Sequence, residues 1–137
     1  MNDALKHGGA EACMRLAEFV AALRFEDLPA SVVDKAQVHL RDTLGAALAG
    51  TRSREYALVA RTIAPQSGGA VSLWGWGAPY RASARDAALV NGVAAHVFEL
   101  DDTGGCDHSG AVVVPAVFAA AEGRAVSGRD LIVAIVA

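Results

Sequence analysis

The sequence predicts a mainly α fold, bundle-like, with at most a short strand or hairpin near residues 70–77. Three observations carry this. Apolar residues recur at helical spacing along most of the chain, and helix-starting and helix-stopping residues bracket the runs. Hydrophobic residues make up 53% of the 137 positions while aromatics are only 6%. Much of the apolar content is alanine, which suits close-packed helices better than a β-sandwich.

Residues 1–9 show no apolar period and read as a flexible N-terminal arm. From Ala10 onward Leu16, Phe19, Val20 and Leu23 share one stripe, so a first helix is predicted, broken at Phe25-Glu-Asp-Leu-Pro29. Pro29 suits the first turn of a second helix, where its missing N–H has no partner to lose. Val33, Ala36, Leu40, Leu44, Ala47 and Leu48 line one face of that helix, and Gly50 stands where a C′ glycine belongs. Gly45 in its interior costs about 1 kcal/mol relative to Ala, which points to a close helix–helix contact there.

A third helix is predicted from Ser53 to Ile63, ended by Pro65 and the Gly68-Gly69 pair. Ala70-Val-Ser-Leu-Trp-Gly-Trp-Gly77 alternates like a short extended segment, closed by Pro79. Two tryptophans flanking a glycine read better as core packing than as a ligand platform. Ser83 and Asp86 have capping-box spacing and open a helix through Ala87, Leu89, Val90, Val93, Ala94 and Val97. After a Gly-rich loop, 111–122 is helical by pattern, with Pro115 either in its first turn or kinking it. Ser127 and Asp130 repeat the capping spacing before a last helix, Leu131-Ile-Val-Ala-Ile-Val136. The face bearing Leu131, Ile132, Ile135 and Val136, with part of the Val33–Leu48 stripe, is expected to be exposed in an isolated monomer. The chain reads as the N-terminal part of a longer protein.

A net charge of −3 argues against a nucleic-acid partner, which would need a basic face. No long uncharged apolar run suggests a membrane span, and the first residues lack the apolar core of a secretory signal. Cys13 and Cys106 have neither metal-pair spacing nor the look of a disulfide framework. A cytoplasmic location is expected.

The chemistry is concentrated in one segment, Asn91 to Gly110, which runs from an apolar helix into a Gly-rich loop. It carries His96, Glu99, Asp101, Asp102, Thr103, Cys106, Asp107 and His108. His108 is suited to act as acid or base near neutral pH, Glu99 to orient or tune it, and Thr103 to hydrogen-bond a carboxylate or hydroxyl. His96 closes an apolar helix and reads better as a core or capping histidine. Asp101 and Asp102 fit a turn-forming pair or a substrate-facing pair, and one of each remains open. Cys106 beside Asp107 sits in an electronegative setting that disfavours a thiolate nucleophile. His96, Asp101, Asp102 and His108 also offer donors for zinc or manganese, but their spacing matches no standard metal motif, so no metal is expected.

Four blocks carry a family resemblance in order: Leu40-Arg-Asp-Thr-Leu-Gly-Ala-Ala-Leu-Ala-Gly50, Asp86–His96, Glu99-Leu-Asp-Asp-Thr103, and His108-Ser-Gly-Ala-Val-Val-Val-Pro-Ala116. With Ser127–Ala137 they make the chain from Ala10 onward resemble the N-terminal part of the helical domain of the MmgE/PrpD family. That family includes 2-methylcitrate dehydratase, cis-aconitate decarboxylase and iminodisuccinate epimerase. The resemblance implies a longer protein with a second, lid domain, a homodimer, and lyase or isomerase chemistry without metal or organic cofactor. It further implies small di- or tricarboxylate substrates, reacting at the carbon next to a carboxylate. Glu99, Thr103 and His108 match its catalytic positions. Several relatives have Asp where Glu99 stands, and the residue after the loop histidine is usually Pro rather than Ser109.

Glu99 to Asp107 contains four carboxylates, Glu99, Asp101, Asp102 and Asp107, and no cation, which would repel such substrates. The carboxylate clamps must therefore come from elsewhere. Within the chain Arg81, and after it Arg85, are the substrate-binding candidates alongside Asp101 and Asp102. Two other readings remain: a non-catalytic helical dimerisation or interaction module, and a metal-dependent hydrolase or lyase.

Overall fold

The computed structural model describes residues 3–75, 80–102 and 108–137, with side chains from residue 9 onward. The elements in chain order are α1 (Asp3–Ala22), a 3-10 turn (Phe25–Asp27), α2 (Ala30–Gly50) and α3 (Arg54–Ser67). Then come β1 (Val71–Ser72), β2 (Arg81–Ala82), α4 (Ala84–His96), α5 (Ser109–Ala121) and α6 (Gly128–Val136). The fold is mainly helical with one short antiparallel hairpin, in which Val71 faces Ala82 and Ser72 faces Arg81. Among the described residues no helix is long and apolar enough to cross a membrane.

The helix starts follow the capping logic of the sequence. Ser53 accepts the Tyr56 N–H at 3.0 Å and opens α3. Ser127 and Asp130 form a reciprocal box on α6, each side chain accepting the other residue's N–H. At α4 the box is relayed. Ser83 accepts the Asp86 N–H, but the Ser83 N–H donates to Ser67 Oγ, whose hydroxyl donates to the Asp86 carboxylate. One serine from the end of α3 thus joins α4 to the preceding helix. These bonds also hold the Asp86 carboxyl below its ordinary value, the Ser67 hydroxyl contributing most.

The α4 helix sits at the centre, packed against α2, α3 and α5. Ala87, Val90, Ala94 and Ala95 of α4 are buried with Ala47 of α2, Tyr56, Ala60 and Ala64 of α3, and Ala111 and Ala119 of α5. Small side chains let these backbones approach closely. Asn91, also fully buried, ties the hairpin down: its carbonyl accepts the Trp74 N–H at 2.8 Å and its amide donates to Ser72 O at 3.2 Å. Tyr56 donates its hydroxyl to the Trp74 carbonyl, and the Trp74 ring meets Phe118 edge-on at 6.0 Å. Trp74 is therefore a packing residue, as expected; Trp76 lies outside the described residues.

Several local expectations are corrected. The first helix starts at Asp3 rather than Ala10, and Leu16, Phe19 and Val20 of its apolar stripe are exposed. Pro65 does not end α3, which continues to Ser67 and stops at Gly68 in a left-handed conformation (φ 60°). Only the last turn follows Pro65, so the loss is limited to one carbonyl left without its N–H partner. Pro115 lies beyond the first turn of α5 and is fully buried there. The close helix contact expected at Gly45 occurs at Gly50 instead. On the last helix Ile132 is buried, while Leu131, Ile135 and Val136 are half-buried.

Candidate functional site

The site is built where α4 ends and α5 begins. His96 is the last residue of α4, and its carbonyl accepts the Glu99 N–H at 2.8 Å as the chain turns. Glu99 and His108 are the non-glycine residues with positive φ among those described, at 53° and 59°. Such a conformation is costly for residues with a Cβ, and here both cases fall on candidate catalytic residues.

Asp102 fixes the start of α5. Its Oδ1 accepts the Gly110 N–H at 2.8 Å, its Oδ2 accepts the Ser109 hydroxyl at 2.7 Å, and its carbonyl accepts the His108 N–H at 3.1 Å. This side chain takes up a free N–H that a helix start leaves over. Burial pushes the Asp102 carboxyl upward, but the Ser109 hydroxyl, the Gly110 N–H and nearby His39 outweigh it and hold the group below its ordinary value. His39 Nδ1 lies 3.8 Å from Asp102 Oδ2. Gly110 leaves room for these contacts: a β-carbon there would collide with Asp102 Oδ1 and Thr43 Oγ1, and both side chains would have to shift.

Asp101 points the other way, into the protein, and its side chain is 0% exposed. One carboxylate oxygen lies 3.1 Å from His96 Nδ1 and the other 3.1 Å from His108 Nδ1. The two imidazole rings meet at 4.3 Å between centroids, inclined by 63°. On their far side Glu99, whose side chain is 71% exposed, places Oε1 3.3 Å from His96 Nε2 and Oε2 3.9 Å from His108 Nε2. Two imidazoles thus lie between a buried carboxylate and an exposed one. Both rings open onto a groove of about 550 Å³ between α4 and α5, walled by apolar residues such as Leu89, Val93 and Val112.

The structure therefore brings together three of the residues singled out from sequence, Glu99, Asp101 and His108, and adds His96. The sequence reading placed His96 in a structural role because it ended an apolar helix. The signal that could have found it is its closeness in sequence to Glu99 and Asp101, three and five positions on, both of which the turn after α4 brings to the ring. Asp102 is held by the α5 start rather than by the imidazoles. Arg81 lies on β2 with its guanidinium on the Ala70 carbonyl and 3.2 Å from Glu122, and it does not join the cluster. Arg85 pairs with its neighbour Asp86. Thr103, Cys106 and Asp107 lie outside the described residues.

His96, Asp101 and His108 each bring one donor atom to a common region, all within 4.8 Å of one another. Two imidazoles and a carboxylate are a donor set that zinc, manganese or iron accepts. Asp101 is already engaged there, since each of its oxygens is held by the Nδ1 of one imidazole.

Fold and site together define a small-residue helical domain carrying a carboxylate-bridged imidazole pair beside an apolar groove. Residues 14–137 match the MmgE/PrpD N-terminal domain, and the chain belongs to that family. It is similar to the cis-aconitate decarboxylase-like protein oryM of Aspergillus oryzae, 32% identical over 148 residues that cover 99% of this chain and 30% of that protein. It is also similar to a cis-aconitate decarboxylase of Aspergillus terreus, 31% identical over 131 residues, covering 88% of this chain and 26% of the relative. The chain spans less than a third of the length of these curated relatives.

Proposed function

We propose that this chain supplies one wall of the active site of a lyase or isomerase acting on small di- or tricarboxylates by acid–base chemistry, without a metal. The observation that carries the reading is the His96–Asp101–His108 cluster at the head of the α4–α5 groove. Decarboxylation, dehydration and epimerisation beside a carboxylate all need a proton delivered to, or taken from, a carbon that holds developing negative charge. Paired imidazoles on a rigid helix end, opening onto a groove, are suited to that transfer. His108 is assigned as the acid or base, Glu99 as the group that shares its proton, and Thr103 as a substrate hydrogen-bond donor. The named relatives make a tricarboxylate such as cis-aconitate the first substrate to test.

The groove lining contains no Lys or Arg among the described residues, and Arg81 is engaged by Glu122. The reading therefore places the cations that hold substrate carboxylates outside this groove, in a homodimer partner or in other parts of the protein. Turnover of cis-aconitate, followed as CO₂ release by the whole protein, tests the assignment. His108→Ala is expected to reduce it by 10²-fold or more, the usual scale for a lost general acid or base. Unchanged turnover in that variant, with any substrate of the class, removes the assignment.

The cluster's donor set also favours a second reading, a metal-dependent hydrolase or lyase. Elemental analysis of protein purified without chelators decides between them. The metal-free reading expects substoichiometric metal and a melting temperature unmoved by chelator, because a metal bound only by the folded state would raise stability by mass action.

A further inference from the structure

Asp101 has a more specific part in this site than a buried partner for one histidine. It is fully enclosed, and its two oxygens are divided evenly between two rings, 3.1 Å from Nδ1 of His96 and 3.1 Å from Nδ1 of His108. An ionised carboxylate has no hydrogen to donate. Each Nδ1 that bonds to it must therefore carry the hydrogen itself. A neutral imidazole carries only one N–H, so on both rings it is Nε2 that is left with the lone pair.

We propose that Asp101 is a positioning residue that locks His96 and His108 together in the Nδ1–H tautomer, so that both Nε2 atoms serve as one proton-accepting pair beside the α4–α5 groove.

The two carboxylates act on opposite edges of the rings, and differently. Among the described residues the other carboxylate on the rings is Glu99, on the Nε2 side of both, at 3.3 and 3.9 Å. Glu99 stands at ion-pair distance from these atoms without a hydrogen bond to either, so it does not fix the tautomer as Asp101 does. Opposite the lone pairs its charge is unfavourable, and it becomes favourable once a proton is bound at Nε2. Among the described residues the remaining carboxylate nearby, Asp102, turns its oxygens to Ser109, Gly110 and His39 rather than to either ring. Asp101 therefore occupies both Nδ1 positions, and the mobile proton is confined to the Nε2 side. The bearing of this on catalysis rests on the lyase or isomerase reading above. The tautomers themselves do not, and they can be read without turnover.

The test is a long-range ¹H–¹⁵N correlation spectrum of the imidazoles in ¹⁵N-histidine-labelled protein, above the pH at which the rings are neutral. His96→Gln and His108→Gln assign the signals. Both rings are expected as the Nδ1–H tautomer, whereas free neutral histidine favours Nε2–H. Asp101→Asn then makes a demand that a merely space-filling role would not. An amide has one accepting oxygen and one donating NH₂. One ring keeps its Nδ1–H on the oxygen, and the other must present a bare Nδ1 to the NH₂ and move its hydrogen to Nε2. The variant is therefore expected to show the pair split between the two tautomers. Either ring appearing as Nε2–H in the parent protein overturns the proposal, as does Asp101→Asn with both rings still Nδ1–H. Should Asp101→Asn fail to fold, the parent spectrum alone decides. Loss of the acid–base reading through an active His108→Ala variant would leave this result standing, so the two can fail separately.

Discussion

Gly50 on α2 runs so close to Ala94 on α4 that a β-carbon at position 50 would overlap the Ala94 carbonyl and come within 2.9 Å of Val97 Cγ1. This approach brings the second helix against the last turn of α4, whose final residue is His96. Gly45 in the same helix meets nothing within 4 Å. Two glycines that look alike in the sequence therefore have opposite roles.

Gly50→Ala is accordingly expected to destabilise the protein by about 3 kcal/mol, the upper range for overpacking, because the atoms in the way belong to backbone and cannot rotate aside. Gly45→Ala should stabilise it by up to about 1 kcal/mol through helix propensity alone. Urea unfolding of the two variants measures both. A tolerated alanine at 50 would show that α2 and α4 do not meet in this way.

The acid limb of the stability curve should depend on Asp102. Its carboxyl is held below the ordinary value, burial opposing and the Ser109, Gly110 and His39 contacts prevailing. The sign follows directly. A group whose folded pKa is depressed contributes stability that is fully present above its unfolded value, about 3.9. That contribution is lost as pH falls through the lower folded value. Asp102→Asn should cost about 1–3 kcal/mol at neutral pH, where hydrogen bonds to a charged acceptor are replaced by weaker ones. It should also melt with a shallower dependence on pH below 4 than the parent protein. Parallel acid limbs in the two proteins would refute the role given to this carboxylate. His39→Ala, which removes a partly exposed ring 3.8 Å away, should cause a smaller change of the same sense.

Much of the fold was legible in the sequence because the features that specify it are local. Ser83 and Ser127 each begin a helix where the residue three positions on is capped. The alternation at Val71–Ser72 marked the first strand of the hairpin, while its partner Arg81–Ala82, beyond Pro79, carried no such signal. The errors came where tertiary contact decides. Nothing local distinguishes Gly50 from Gly45, and Pro65 is tolerated because α3 has only a short stretch left to run. The site divides the same way. Glu99, Asp101 and His108 were visible as a crowd of polar groups in a Gly-rich setting. That Asp101 turns inward to two imidazoles while Asp102 caps α5 depends on the left-handed turns at Glu99 and His108, and a pair of adjacent aspartates does not reveal its directions in sequence. His96 was placed with the structural histidines for the same reason.

Those left-handed turns have a measurable cost. Glu99 has φ 53° and a largely exposed side chain, so little burial is lost when it is changed. Glu99→Gly and Glu99→Ala both remove the contacts to the imidazoles, and only glycine relieves the backbone. The glycine variant should be more stable than the alanine variant by about 1 kcal/mol. Equal unfolding free energies for the pair would mean that position 99 is not held left-handed in solution. In the proposed enzyme both variants should also lose turnover, which separates the residue's chemical role from the strain it imposes.

The apolar surface around the groove leads to the last expectation. Leu89 of α4 is 56% exposed and Val112 of α5 is 70% exposed, and both border the groove that receives His96 and His108. Phe98 and Leu100 in the adjoining turn are exposed as well, and so are Leu16 and Phe19 on α1. Exposed apolar surface beside a polar cluster, such as Leu89 and Val112 offer along the groove, drives association. The 137-residue chain should self-associate in solution and bind an apolar dye, and a homodimer is the simplest form of that association. Charge placed in the groove separates this surface from the others: Leu89→Glu and Val112→Glu should lower both dye binding and apparent mass, whereas Leu16→Glu on α1 should leave the groove's share intact. Sedimentation and dye titration at matched concentration give the answer. A monomer without dye binding would show that this face needs no cover, and that the groove beside the imidazole pair is open to water in the folded chain.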